Sequence, residues 1–193
     1  MTAGIVLAGG RSTRMGTPKA ALDWHGRPLV AHVVTTLRAA LGGGPVVVVA
    51  APGQVLPALP AGTRRAVDAA EGRGPLQGLL AGLETLEAAE DHAVVVATDQ
   101  PFVAEAVTRL LAADPAAGGV AFSVAGRVQP LGARYARRLA PLAAGRLAGG
   151  DASLRGLLEA AGATVLEATP AEAAALRSLD TPAAYAEALA EGG

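Results

Sequence analysis

Cysteine is absent from the 193 residues. That absence excludes disulfides, thiolate zinc sites, iron–sulfur clusters and a cysteine nucleophile. Aromatic side chains are scarce, with one Trp, two Tyr and two Phe, and the formal net charge is only -1. A chain with neither stacking rings nor a basic face is not built to hold nucleic acid. Long hydrophobic runs are missing as well. Val46-Val47-Val48-Val49-Ala50-Ala51 falls far short of the roughly 20 residues of a membrane span. No basic stretch leads into an apolar segment at the start, and the first strand begins almost at Met1, so the expected setting is the cytoplasm. Lysine is nearly absent: of 16 basic residues only Lys19 is not Arg. A compact, flexible ammonium can follow a phosphate where a planar guanidinium cannot, which draws attention to that one position.

The apolar content is 51%, but 47 of those positions are Ala, which serves helices and spacing as much as a core. The length suits one domain spanning residues 1–193, able to bury roughly 70% of its unfolded surface. Short apolar runs alternate with helical patterns. Ala3 to Ala8, Pro45 to Ala51, Ala93 to Thr98 and Gly119 to Val124 read as buried strands. Leu29, Val33, Leu37 and Leu41 mark one face of a helix opened by Pro28, and Leu76, Leu79, Leu80, Leu83 and Leu86 mark another. Ser153 to Ala161 and Thr181 to Leu189 read as helices, the latter with Thr181 as N-cap, while Arg127 to Tyr135 is a strand or a loop. Strands apolar on both faces and separated by helices imply a three-layer α/β sandwich around a mostly parallel sheet.

The richest chemistry lies in Leu7-Ala8-Gly9-Gly10-Arg11-Ser12-Thr13-Arg14-Met15-Gly16-Thr17-Pro18-Lys19. A buried strand ends in two glycines whose bare amides can approach a phosphate, and two Arg and the sole Lys follow within nine residues. The spacing fits neither the Walker A loop nor the dinucleotide fingerprint Gly-x-Gly-x-x-Gly. The plain alternative is a glycine-rich turn with solvated cations. Asp99 stands just past the strand ending at Thr98, where open α/β sheets bind ligands. It is a candidate for Mg²⁺, which takes one or two carboxylates plus substrate phosphate oxygens, or else it caps the next helix. In Asp68 to Leu79 a Gly74-Pro75 turn opens a helix whose free amides suit an anion or a polar ligand edge; otherwise it is an ordinary strand-to-helix connection. His25, His32 and His92 lack ligand spacing and read as structural or exposed. No Gly-x-Ser-x-Gly elbow is present. Glu84, Glu87 and Glu90 read as one solvated helix face.

In order along the chain, these segments resemble the small MobA-type molybdenum cofactor guanylyltransferases. The matching segments are Leu7 to Lys19, Asp68 with Gly74 to Leu79, Asp99 to Phe102, Pro130 to Tyr135, Ser153 to Arg155, and Asp180-Thr181-Pro182. The resemblance implies a Rossmann-like nucleotidyltransferase fold, GTP and molybdopterin as substrates, and Mg²⁺ as cofactor. It also implies partners among molybdenum cofactor biosynthesis proteins and acceptor molybdoenzymes. Leu7, Ala8, Gly9 and Gly10 would line the phosphates, and Arg14 and Lys19 would offset charge on the leaving pyrophosphate. Asp99 would hold the metal, and Asp68 with Gly74, Pro75, Leu76 and Gly78 would meet the nucleoside. Gln129, Pro130, Arg155, Ser178 and Asp180 would face the pterin, so that residues from roughly 120 to 193 form the acceptor side. Two departures stand out. Ala50-Ala51 replaces an Asn common in the family, and Ser178-Leu179-Asp180-Thr181-Pro182 replaces Asn-x-Asn-Thr-Pro. An Asp-Thr-Pro ending also occurs in cytidylyltransferase relatives, so CTP, or another small phosphorylated acceptor, is the rival within the class. A nucleotide-binding accessory protein without turnover is the rival outside it.

Overall fold

Seven strands form the central sheet, in the order β5-β4-β1-β6-β8-β7-β9. Their limits are β1 Thr2–Leu7, β4 Val46–Ala50, β5 Arg64–Val67, β6 His92–Ala97, β7 Gly119–Val124, β8 Arg127–Ala136 and β9 Thr164–Glu167. The computed structural model describes residues 1–9, 18–68 and 74–191. Gly10, Arg11 and Arg14 therefore lie outside the described residues. All neighbouring strands are parallel except at β8, which runs antiparallel to both β6 and β7.

The valine runs explain the layering. Val47 and Val49 of β4 and Ala93 and Val95 of β6 enter one core, while Val46, Val48, Val94 and Val96 enter the other. A strand alternates its side chains, so an unbroken apolar run needs cover on both faces. One face is covered by α2 (Pro75–Glu84), α4 (Ala140–Ala148) and α5 (Leu154–Ala160), which supply Leu76, Leu79, Leu83, Ala143, Leu154 and Leu157. The other is covered chiefly by α1 (Leu29–Ala40) and α3 (Ala104–Ala112), through Leu29, Val33, Leu37, Val107 and Leu110. Each fully buried Val or Leu contributes about 1.5–3 kcal/mol. The short α6 (Pro170–Ala175) and the final α7 (Pro182–Glu191) complete that layer. Thr181 caps α7, its hydroxyl accepting from the Ala184 amide at 3.1 Å.

Two sequence readings change. The open alternative at Arg127 to Tyr135 resolves as a ten-residue strand. Its pairing with β7 skips from Val120↔Arg134 to Phe122↔Gln129, and Gly132 sits in that bulge at φ +72°. The expected solvated face at Glu84, Glu87 and Glu90 is not one face. Helix α2 stops at Glu84, and Glu90 is buried, holding Arg64 of β5 through both carboxylate oxygens at 2.7 and 2.6 Å. That carboxylate fastens the edge strand, which explains why a charged residue turns inward.

A two-strand hairpin, β2 (Asp23–Trp24) and β3 (Arg27–Pro28), stands apart from the main sheet and leads into α1. A single 3₁₀ turn at Lys19–Ala21 precedes it. Among the described residues no helix is long and apolar enough to cross a membrane.

Candidate active site

The parallel strands β1, β4, β5 and β6 all end on one edge, and their register brings those ends together. Thr98, one residue past β6, donates both its amide and its hydroxyl to the Leu7 carbonyl of β1, each at 3.2 Å. Asp99 is thereby fixed beside the start of the first loop. It does not cap a helix: α3 begins five residues later, at Ala104. Instead its carboxylate accepts a hydrogen bond from Lys19 Nζ at 2.6 Å, although 80 residues separate the two.

Lys19 reaches this point because its neighbours are anchored. Ala20 and Trp24 are both 2% exposed, in the core between the sheet and α1 and α3. The Leu29 amide closes the hairpin onto the Leu22 carbonyl at 2.8 Å. The same ammonium donates to Asp180 Oδ1 at 2.9 Å. Burial would lower the Lys19 pKa, but the Asp99 and Asp180 carboxylates outweigh it and raise the pKa above the ordinary lysine value. Asp180 is carried here by its neighbour: Leu179 is buried and its amide donates to the Asp99 backbone carbonyl at 3.0 Å. The pterin-side expectation for Asp180 thus meets a residue that touches the Lys19–Asp99 pair.

The remaining oxygen of Asp99 bears on the implied metal. Oδ1 is buried and has no hydrogen-bond partner among the described residues, a costly state for a carboxylate that nothing else satisfies. No cluster of three or more His, Asp or Glu able to hold a metal occurs among the described residues. One buried carboxylate oxygen beside a second carboxylate fits Mg²⁺, which completes its shell with water and substrate phosphate oxygens. Asp99, with Asp180 next to it, would hold that ion.

The other expected residues gather along the same edge. Asp68 follows β5, its amide bonded to the Ala50 carbonyl at 2.8 Å. The space beside Gly78 is bounded by Leu7 Cδ2 and Asp68 Oδ2, so a bare residue lets α2 lie close over the strand ends. Gly74 precedes α2 at φ +81°, facing Ala152 just ahead of α5, a conformation and a gap that suit only glycine. The α2 amides therefore open towards this edge with no side chain at the capping position, and a helix N-terminus favours anions. Leu7 and Leu76 are core residues. Pro75 is exposed at the first turn of α2. The Gly9 amide bonds the Val49 carbonyl at 3.2 Å. On the β8 side, Gln129 Nε2 bonds the Arg127 carbonyl at 3.1 Å, Pro130 O accepts from the buried Tyr135 hydroxyl at 2.7 Å, and exposed Arg155 reaches Val128 O at 3.4 Å. Ser178 is exposed beside Leu179.

Residues 4–168 match the MobA-like NTP transferase domain. The chain belongs to this family. A probable molybdenum cofactor guanylyltransferase of Mycobacterium avium (strain 104) is 37% identical over 166 residues, which cover 83% of this chain and 82% of that protein. A protein of the same description from Mycobacterium tuberculosis (strain ATCC 25618 / H37Rv) is 45% identical over 104 residues, 52% of this chain and 50% of its own. The chain thus spans about half the length of that curated relative. The crystal structure of molybdopterin-guanine dinucleotide biosynthesis protein A from Archaeoglobus fulgidus shares the fold. It has a TM-score of 0.76 and 19% identity, covering 100% of this chain and 98% of that one. Asp180 lies beyond the part matched to the MobA-like domain, so its place in the site comes from the structure.

Two site-building residues escaped the sequence reading. Gln100 is 2% exposed; its carboxamide accepts from the Ala97 amide at 3.0 Å and donates to the Leu176 carbonyl at 2.9 Å, tying α6 to the Asp99 turn. Gln54 acts similarly at the first loop. It accepts from the Ala51 amide and donates to the Ala8 carbonyl, each at 2.9 Å, as an added rung beyond the last β1–β4 pair, Leu7↔Val49. Glutamine in a turn gives no sequence signal for such a rung. Gln54→Ala is expected to cost about 1 kcal/mol of stability. Thermal and denaturant unfolding beside the parent check this.

Proposed function

We propose that this MobA-like protein transfers GMP from GTP to molybdopterin, in the cytoplasm, giving molybdopterin guanine dinucleotide and pyrophosphate. In this reaction a terminal phosphate oxygen of the pterin attacks the α-phosphorus of GTP. A new P–O bond forms there as the bond to the β-phosphate oxygen breaks and pyrophosphate leaves. Such transfer depends on alignment and charge neutralisation more than on covalent help from the protein.

The observation that carries this reading is the ammonium of Lys19 held between Asp99 and Asp180 at the carboxyl edge of the parallel strands. Lys19 and Arg14 would neutralise the β- and γ-phosphates, and Gly9 and Gly10 would leave room for them. Asp99, with Asp180 beside it, would hold Mg²⁺, whose chemistry is to polarise phosphate oxygens. Asp68 and the Gly74-Pro75-Leu76 turn, with Gly78, would take the nucleoside end. The part of the chain from roughly 120 onward would form the acceptor side, with Gln129, Pro130, Arg155 and Ser178 towards the pterin. The proteins that deliver molybdopterin and receive the product would be cofactor biosynthesis partners and acceptor molybdoenzymes.

The test is Mg²⁺-dependent binding of GTP, CTP and ATP by calorimetry, then pyrophosphate release with molybdopterin. Preference for GTP with release of one pyrophosphate per acceptor is expected. Preference for CTP would replace guanine by cytosine, and nucleotide binding without pyrophosphate would leave an accessory protein.

A further inference from the structure

His32, on α1, makes contacts that the transfer reaction does not by itself call for. Arg27 NH2 lies 2.7 Å from its Nδ1, and its Nε2 lies 3.1 Å from the Pro101 carbonyl. A guanidinium can only donate, so Nδ1 is the acceptor and the proton resides on Nε2, which donates to Pro101 O. The Thr36 hydroxyl, 3.4 Å from Nε2, shares that proton as a second acceptor. The ring packs on Trp24, centroids 5.3 Å apart. Burial holds the imidazole below its ordinary pKa, and the charges on Arg27 and His25 push the same way against the Pro101 hydrogen bond. A neutral ring is the form this geometry needs.

The geometry points to His32 as a positioning residue for the Lys19–Asp99 pair, through the Arg27–His32–Pro101 chain of hydrogen bonds. Both ends of that chain belong to the site. Arg27 and Trp24 are the paired residues of the hairpin that follows the Lys19 turn. Pro101 is two residues beyond Asp99, in the turn where the Gln100 amide bonds Ala97 O at 3.1 Å and Asp99 O receives the Leu179 amide. The imidazole therefore ties the segment carrying the ammonium to the segment carrying the carboxylate, beside the edge-on contact of the Trp24 and Phe102 rings at 5.7 Å. This inference rests on the proposed function for its catalytic consequence, but not for its structural one.

His32→Leu and His32→Gln separate the two. Amide hydrogen exchange is read first, on protein without metal or nucleotide. In His32→Leu the Gln100 and Leu179 amides are expected to exchange about tenfold faster, the loss of roughly one hydrogen bond. In His32→Gln, whose Nε2 amide reaches the same carbonyl, most of the protection returns. With substrates, His32→Leu is expected to lose about tenfold in kcat and to need more Mg²⁺ for half-activation, with Gln again restoring most of both. Wild-type exchange and wild-type Mg²⁺ dependence in His32→Leu would overturn the inference, even if its melting temperature fell. Should His32→Leu not fold, Arg27→Ala keeps the ring and removes only the group that fixes its tautomer. It is expected to speed exchange at the same two amides, and unchanged exchange there would overturn the inference. A wild-type protein that releases no pyrophosphate would overturn the proposed function while leaving the exchange result intact.

Discussion

Asp99→Asn is expected to lower kcat by about 10³-fold or more, while the protein melts within a few degrees of the parent. The substitution keeps the shape of the side chain and removes its charge. The fold tolerates this because the backbone, not the carboxylate, carries the local structure: Asp99 O receives the Leu179 amide, and Thr98 next to it bonds Leu7 O. Lys19 keeps Asp180 as a partner. What disappears is the charge on a buried oxygen that has no hydrogen-bond partner among the described residues and suits a divalent cation. Steady-state kinetics across a Mg²⁺ titration, with thermal unfolding on the same samples, measure both halves. Near-normal turnover at saturating Mg²⁺ would remove Asp99 from the metal site. Lost turnover with an unfolded protein would instead make it structural, and Asp99→Glu then distinguishes charge from fold.

Much of this architecture could be read from the sequence because the strands that build the edge are buried on both faces. Val46 to Val49 and Val94 to Val96 have no polar alternate residues, so only a covered sheet accommodates them. The flanking strands were harder. β5 contains Arg64 and Arg65, and its assignment depends on Glu90 turning inward to meet Arg64. No local pattern announces a partner 26 residues away.

The site divides along the same line. Lys19 stood out as the only lysine and Asp99 as an acid past a buried strand, both local properties. That they touch depends on the anchoring of Ala20 and Trp24. Asp180 arrives from 161 residues away through the burial of Leu179. His32 looked structural or exposed because its spacing fits no metal site. Its part follows only once Arg27 and Pro101 are seen on its two nitrogens. Gln54 and Gln100 bond backbone groups that are distant or in turns, contacts that residue type does not encode.

Lys19→Ala is expected to cost about 10²–10³-fold in kcat/KM for GTP, more than Arg11→Ala in the same glycine-rich stretch of sequence. The reason lies in what the ammonium holds. Asp99 and Asp180 both accept from one nitrogen, so its loss takes from both carboxylates the ammonium that they share. In the parent, Lys19 has its pKa raised by those carboxylates against the effect of burial. Its ion pairs therefore contribute stability that is complete below the ordinary lysine pKa and is lost only as pH climbs through the raised one. Across neutral pH the group stays charged, so no alkaline limb from Lys19 is expected there. Lys19→Arg keeps the charge but offers a wide planar fork in place of a compact one. It is expected to retain much of the nucleotide binding and to recover little of the transfer rate. Calorimetry with GTP and a pH profile of kcat/KM for the three proteins decide the matter. Equal losses in Lys19→Ala and Arg11→Ala would show that any cation of that stretch of sequence serves, and that the lone lysine has no special place.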